Sequence, residues 1–298
     1  MRIASLLPSA TEIVCALGME NDLVAVTHEC DYPESIRGKP VLTRSVLSGT
    51  RSGADVDRHI RELVHQGSSI YSLDAPLLEA LRPDLILTQE LCEVCAVSYP
   101  IVERAARRLG SSPQLVSLEP ETLDDVFENI RFVGALAGRS DTAEHLCDSL
   151  RRRVTTVEQR LAGRPRRKVV CLEWIDPPFN CGHWTPELVA IAGGDERLGV
   201  ARQPAHLIDW RQVIDADPEV VVVMACGFSL DRSLREVETA GGRFEALRAQ
   251  TWVVDGNAFF SRPGPRLVDS VEIMAGILHP GAVDAPHPSA ARRLESVR

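Results

Sequence analysis

No window of the sequence reaches the roughly 18 consecutive apolar residues that a membrane-crossing helix requires, so no membrane insertion is expected. Positive charge is also in short supply. Against 42 Asp and Glu stand 33 Lys and Arg, a formal net charge of −9. That balance excludes a broad nucleic-acid surface, which needs an excess of basic side chains facing the phosphates. The one dense basic run, Arg164-Pro-Arg-Arg-Lys168, is short, precedes an apolar strand and reads as a solvated linker. Familiar catalytic signatures are missing as well: there is no Walker-type phosphate loop, no Gly-x-Ser-x-Gly elbow and no His-Glu-x-x-His helix. Asp124 and Asp125 fall on a predicted solvated helix face, and no nucleophile stands beside a base, so catalysis is not expected. The start, Met1-Arg-Ile-Ala-Ser-Leu-Leu-Pro8, leads straight into an apolar strand. It has no charged segment, no apolar stretch of about 7–15 residues and no small-residue cleavage site, and a cytoplasmic protein is the expectation.

What is present suits a protein with real cores: 298 residues, 44% hydrophobic and 25% charged, enough for two domains. Strands at Ile3–Leu7, Leu23–Thr27, Leu85–Thr88 and Gln114–Leu118 alternate with helices near Ser9–Leu17, Pro76–Leu81 and Ile101–Leu109, which predicts βαβ units and a mainly parallel sheet. Ser9-Ala-Thr-Glu12 fits a capping box, and Gly18 is a natural stop. A helical segment follows over about Leu123–Leu161. Its apolar stripe of Leu146, Leu150, Val154, Val157 and Leu161 marks one face, while Gly134, Gly138 and Ser140-Asp141 stand where it would bend or break. The same order then returns. Strands are expected at Val169–Glu173, Pro218–Val223 and Thr251–Val254, with a capped helix over Thr185–Ala192 that stops at Gly193-Gly194, a helix at Val213–Asp217 and another at Leu267–Leu278. The fold class is therefore α/β, two lobes with mainly parallel sheets joined by a long helix, with a ligand cleft between lobes. The expected divisions are 1–122 for the N-terminal lobe, 123–163 for the bridging helix, 164–280 for the C-terminal lobe and 281–298 for a loosely ordered tail.

In open α/β sheets ligands gather beyond the carboxyl ends of the strands. The segments following each strand are Pro8-Ser9, His28-Glu-Cys30-Asp-Tyr32-Pro33, Gln89-Glu-Leu-Cys92-Glu-Val-Cys95, Trp174 through Phe179, Cys181, His183 and Trp184, Ala225-Cys226-Gly-Phe228, and Phe259-Phe260-Ser-Arg262 through Arg266. Most of the Trp and Phe residues and five of the eight cysteines sit there. Such a concentration points to a cleft holding something large and aromatic or macrocyclic. Each aromatic alone reads equally as a loop anchor, and Arg266 as a structural ion pair; Arg262 could clamp carboxylate, amide or phosphate groups.

Cys15 and Cys147 fall in helical patterns and Cys171 in a strand, so these three read as core. Cys92-x-x-Cys95 supplies half of a tetrahedral metal site. His28, Cys30, Cys181 and His183 come from other strand-end loops and complete a candidate zinc or iron ligand set. Reduced, uninvolved cysteines are the alternative, as is a redox dithiol at Cys92 and Cys95.

Ser5-Leu-Leu-Pro-Ser-Ala-Thr-Glu12 with Ala16-Leu-Gly18, Asp31-Tyr-Pro33, Pro83-Asp-Leu-Ile86, Asp176-Pro-Pro-Phe179 and Pro265-Arg266 resemble the helical-backbone, class III, substrate-binding proteins of ABC transporters. The likeness is greatest to their cobalamin-binding members and spans roughly residues 1–280. It implies two α/β lobes bridged by one long helix, with cobalamin or another corrinoid as ligand, its ring edge on aromatics. Tyr32, Phe179 and Trp210 stand near the family's contact positions, and Arg262 lies in a polar contact loop. Gln89 stands where the family carries a Trp. The motifs at 28–33 and 91–95 resemble a cytosolic subgroup, for which an ABC permease partner is not expected. His28, His183 or a cysteine thiolate would then serve as axial ligand to cobalt. Three readings follow: a corrinoid-binding protein for storage, delivery or sensing; a binder of metal or metal chelate (zinc, iron, haem or siderophore) through the Cys and His loops; and an enzyme acting on a corrinoid or tetrapyrrole with redox cysteines. The small-molecule ligand is common to all three.

Overall fold

A computed structural model describes residues 1–46, 52–65, 70–90 and 98–294. The chain divides into two compact units, one of residues 1–51, 55–119 and 127–147, the other of 52–54, 120–126 and 148–298.

The first unit is built from Ile3–Ser5 (β1), Pro8–Ala16 (α1), Leu23–Ala25 (β2), Thr43–Ser45 (β3), most of Gly53–His65 (α2), Tyr71–Leu73 (β4), Ala75–Leu81 (α3), Leu85–Thr88 (β5), Tyr99–Ala106 (α4) and Gln114–Ser117 (β6). Its main sheet has the order β2-β1-β5-β6, every pair parallel. β3 and β4 form a separate antiparallel pair. The central strands are buried on both faces, which is why Leu85, Ile86 and Leu87 form a continuous apolar run instead of alternating with polar residues.

The expected capping box at Ser9–Glu12 is not formed. The helix begins one residue earlier, with Pro8 in its first turn after Leu7, and Ser9, Thr11 and Glu12 are buried inside it. Proline suits that place because its fixed φ is already helical and its missing N–H would be unsatisfied anyway. The Thr11 hydroxyl instead donates to Ser5 Oγ at 2.8 Å.

The helical segment after residue 122 is two helices, Leu123–Leu136 (α5) and Ser140–Leu161 (α6). The break falls at Gly138, whose φ of +66° is left-handed and natural to glycine at a helix end. Within the first unit Gly134 lets the two helices close up, since a Cβ there would stand 2.5 Å from that of Ala143. Arg131 crosses from α5 to Glu144 of α6 at 2.9 Å.

The second unit contains Arg167–Leu172 (β7), the short hairpin Trp174–Ile175 (β8) and Pro178–Phe179 (β9), Thr185–Ile191 (α7), Gly194–Glu196 (β10), Trp210–Asp215 (α8), Val220–Val223 (β11), Leu230–Ala240 (α9), Gly242–Glu245 (α10), Gln250–Val254 (β12), Leu267–Leu278 (α11) and Ala291–Arg293 (β13). The sheet order is β10-β7-β11-β12-β13. All pairs are parallel except the last, which is antiparallel. Val220–Val223, in the middle, is wholly buried. The segment after Pro280, expected to be loosely ordered, carries β13 on the open side of β12, with Val283, Ala290 and Ala291 buried. An unpaired strand edge is costly to leave open, and this segment covers it. Thr185 is not a cap either. It is the first helical residue, and its hydroxyl bonds the carboxyl group of Glu173.

Candidate functional site

Three loops meet at the carboxyl end of the second sheet, those following β7, β11 and β12. They approach backbone to backbone: a Cβ on Gly256, which follows β12, would stand 2.4 Å from the carbonyl oxygen of Ala225, which follows β11. Asn257 N–H then donates to Phe228 O at 3.1 Å. A π-helical turn, Gly256–Phe260, is started by Asp255, whose carboxylate accepts from Ala258 N–H at 2.8 Å. The β7 loop joins them through Trp184, whose indole N–H donates to Phe260 O at 3.0 Å.

These contacts gather several of the expected ligand-binding residues along one rim, Trp174 and Phe259 half-buried and Trp184 and Phe228 buried beneath it. Trp174 lies tilted on Phe228 with ring centroids 4.7 Å apart. The guanidinium of Arg232, from the first turn of α9, sits 3.6 Å above the Phe228 ring. Burial pulls the pKa of Arg232 down, Glu236 counters it and Arg235 adds to the fall. A guanidinium over an aromatic face at this distance contributes on the order of 1 kcal/mol, so Arg232 is a positioned positive group that the sequence reading did not include. Phe259, half-buried, lies 5.6 Å from the Arg266 guanidinium. Arg262, only 4% exposed, donates to Asn257 Oδ1 at 3.1 Å and braces the loop after β12. Phe179 pairs across the hairpin with Trp174. Trp210, at the start of α8, packs edge-on against Phe244 at 5.0 Å, and Arg243 both faces its ring and pairs with Asp176 at 3.3 Å.

In the first unit the candidate residues are more dispersed. Pro8 opens α1. His28 Nδ1 is 2.7 Å from Thr43 Oγ1, its Nε2 is 3.2 Å from Glu29, and its ring is tilted against Tyr71. Cys30 Sγ lies 3.1 Å from Thr11 Oγ1 and 3.3 Å from Thr27 Oγ1. Tyr32, before the cis peptide to Pro33, is exposed, whereas Gln89 is buried. Cys92 and Cys95 lie outside the described residues.

Cys181 and His183, expected in one ligand set, have different surroundings. His183 takes a left-handed backbone, φ +48°, and stacks on Trp184 at 5.6 Å. Burial lowers its pKa against the opposing pull of Glu121, and its Nδ1 is buried with no hydrogen-bond partner among the described residues. Cys181 is fully buried and meets Cys171 and Glu196, their ligand atoms all within 4.8 Å of one another. Among the described residues this is the one cluster of three or more His, Cys, Asp or Glu placed closely enough to share an ion. Cys171, read from sequence as plain core, is buried but belongs to this cluster, and Glu196 had no signal at all.

Glu196 is there for a backbone reason. β10 ends at Glu196, so the Cys171 N–H of neighbouring β7 has no ladder partner, and the Glu196 carboxylate accepts it at 2.9 Å. The same carboxylate accepts from Leu198 and Gly199 N–H at 2.9 and 3.0 Å. Close by, the Glu173 carboxylate accepts from Gly182 N–H at 3.0 Å. Burial first, and then Glu196, hold Glu173 up at about 7 against the hydrogen bonds from Gly182 and Thr185.

The family comparisons agree with this architecture. A family model described as periplasmic binding protein matches residues 3–239. The vitamin B12-binding protein of Vibrio cholerae is 23% identical over 275 residues, 91% of this chain and 86% of that one. The vitamin B12-binding protein of Yersinia pestis is 24% identical over 239 residues, 77% of this chain and 71% of that one. Among solved structures, a periplasmic heme binding protein from Pseudomonas aeruginosa superposes with a TM-score of 0.73 at 19% identity, covering 99% of this chain and 98% of the other. The periplasmic vitamin B12 binding protein BtuF of Vibrio cholerae gives 0.64 at 21% identity, covering 92% and 94%. The family is one of binding proteins and not of enzymes, so the expectation of no catalysis agrees with it and the reading as a tetrapyrrole-modifying enzyme does not. With two mainly parallel sheets and a match over most of its length, the chain belongs to the periplasmic binding protein family, in its class III form, and is a ligand-binding protein.

Proposed function

We propose that the ligand is cobalamin or a related corrinoid, held against the aromatic rim of the second unit. The observation that carries this reading is the convergence of Trp174, Phe228, Phe259 and Trp184 on three contiguous loops, with Arg232 over the Phe228 ring. A broad macrocycle is served by several flat apolar faces and few charges, whereas a bare ion needs convergent donors. The vitamin B12-binding relatives support the same choice. Haem is the second reading, favoured by the heme-binding structural neighbour and by His183, whose buried Nδ1 has no hydrogen-bond partner among the described residues and makes it a candidate axial ligand.

Titration of the purified protein with hydroxocobalamin and, separately, hemin, followed by visible spectroscopy and calorimetry, distinguishes the two. A corrinoid ligand gives saturable heat and a band shift with cobalamin, and Trp174→Ala or Phe228→Ala weakens binding roughly tenfold or more, as expected for a buried aromatic anchor. Saturation by hemin alone, with a Soret band altered in His183→Ala, selects haem. No response to either removes the proposal.

A further inference from the structure

The Cys171–Cys181–Glu196 cluster shares the segment after β7 with Trp174 and Trp184, but none of its three residues has a part in the ligand reading above. All three residues come from different segments: β7, the loop before α7, and the end of β10. Both sulfurs are fully buried. Hydrogen bonding links them in a chain, Cys181 to Cys171 and Cys171 to Glu196. A second carboxyl group, Glu173, is near enough to be felt by both cysteines and to feel Glu196. What these four groups chiefly feel is burial, backbone N–H groups, the Thr185 hydroxyl and one another, with no Lys, Arg or His among the main influences. Two thiols and a carboxyl group brought within 4.8 Å of one another in the interior are donors of the kind a zinc ion takes.

Size and support also fit. In a tetrahedral zinc site with Zn–S near 2.3 Å and Zn–O near 2.0 Å, ligand atoms stand about 3.5–3.8 Å apart. The observed spread, within 4.8 Å, needs only a small contraction. Ligands are best held by outer hydrogen bonds, and Glu196 is fixed by the N–H groups of Cys171, Leu198 and Gly199. Gly199 is also what admits the Cys181 sulfur: a Cβ there would stand 2.4 Å from it.

We propose that Cys171, Cys181 and Glu196 are three ligands of a structural zinc site. Binding displaces the two thiol protons to solvent and leaves two thiolates on the metal, with no change in oxidation state. The ion would tie the loop that carries His183 and Trp184 to the edge strand β10.

The test uses the whole protein. Purified chain is expected to carry stoichiometric zinc by elemental analysis, and zinc-stripped protein to regain thermal stability on adding zinc chloride. Cobalt chloride in place of zinc should give a thiolate-to-cobalt charge-transfer band and the visible bands of a tetrahedral ion. Cys171→Ser with Cys181→Ser should abolish these bands, and Glu196→Gln should weaken them. Zinc retained undiminished in the double serine variant places the metal elsewhere and overturns the proposal. So does wild-type protein that neither carries zinc nor develops the cobalt bands. That second result needs no variant to fold, and it leaves the cluster as a hydrogen-bonded thiol pair.

Discussion

Cys171 and Gly199 look unremarkable in the sequence, one in an apolar strand and the other in a loop, yet both surround the Cys181 sulfur. Sequence reasoning at the residue scale succeeded where one residue type carries one geometric meaning. Trp174, Trp184 and Phe228 could be placed at a sheet end, whatever they bind, because each lies in a segment that follows a strand. It failed where the meaning comes from residues distant in sequence. Cys171, Cys181 and Glu196 have no regular spacing, and only the β7–β10 pairing puts Glu196 beside Cys171. Gly199→Ala makes the constraint measurable. Its new methyl would meet Cys181 Sγ at 2.4 Å and Cys181 O at 2.8 Å, and the second of these is backbone that cannot rotate away. The expected loss is about 1–3 kcal/mol, typical of overpacking, read from the urea midpoint. A variant as stable as the parent would show that the loop around Cys181 yields freely.

At the scale of elements, the sequence was most legible in the buried parallel strands and in α11, whose predicted span Leu267–Leu278 is also the observed one. Strands β10 and β13, Gly-Asp-Glu and Ala-Arg-Arg, escaped notice because edge strands need no apolar run. Helix starts were read with mixed success. The Ser9–Glu12 pattern has the residue types of a capping box but lies inside a helix begun by Pro8. A reciprocal box is formed instead at the start of α5, where Asp125 N–H donates to Thr122 Oγ1 at 3.1 Å and Thr122 N–H to Asp125 Oδ2 at 2.9 Å. Thr122→Ala should cost about 1 kcal/mol, the usual worth of such a cap. The pH dependence has a definite sign. Burial alone would raise the Asp125 pKa, but the hydrogen bonds from Thr122 and Glu121 outweigh it, and the folded value lies below 3.8. The ionised carboxylate therefore stabilises the folded chain fully above the unfolded value, and that contribution disappears as pH falls through the folded one. In denaturation series from neutral to acid pH, Asp125→Asn should be less stable than the parent near neutrality and converge on it as the pH falls below the folded value. A gap that stayed constant with pH would mean that the carboxylate charge is not what holds this helix start.

For the molecule as a whole, two repeats of strand and helix order were enough to indicate two α/β units, because parallel sheets demand crossover helices and produce that alternation. Unit membership was not legible in the same way: residues 52–54 and 120–126 count with the second unit though their sequence neighbours count with the first. Pattern reports local structure, whereas membership depends on which backbone each short segment bonds, as when Leu123 N–H donates to Glu187 at 3.0 Å. The proposed corrinoid and the proposed zinc should act on this assembly in separable ways. A ligand that binds only the folded state stabilises it by RT ln(1 + [L]/Kd), about 2.7 kcal/mol at a hundredfold excess over Kd. Cobalamin at such an excess should therefore raise the thermal midpoint by a few degrees, and the tenfold weaker binding of Trp174→Ala should remove about half of the gain at the same concentration. Zinc bound within the fold should stabilise the chain whether or not cobalamin is present, and Trp174→Ala should leave that increment intact. Differential scanning fluorimetry of the parent and Trp174→Ala, each with and without the two additives, measures both effects in one experiment. Additive shifts would establish that rim and cluster are independent sites. A zinc effect seen only with cobalamin bound would mean that the cluster responds to the ligand, because two sites on one fold influence each other only when binding at one changes the free energy of binding at the other.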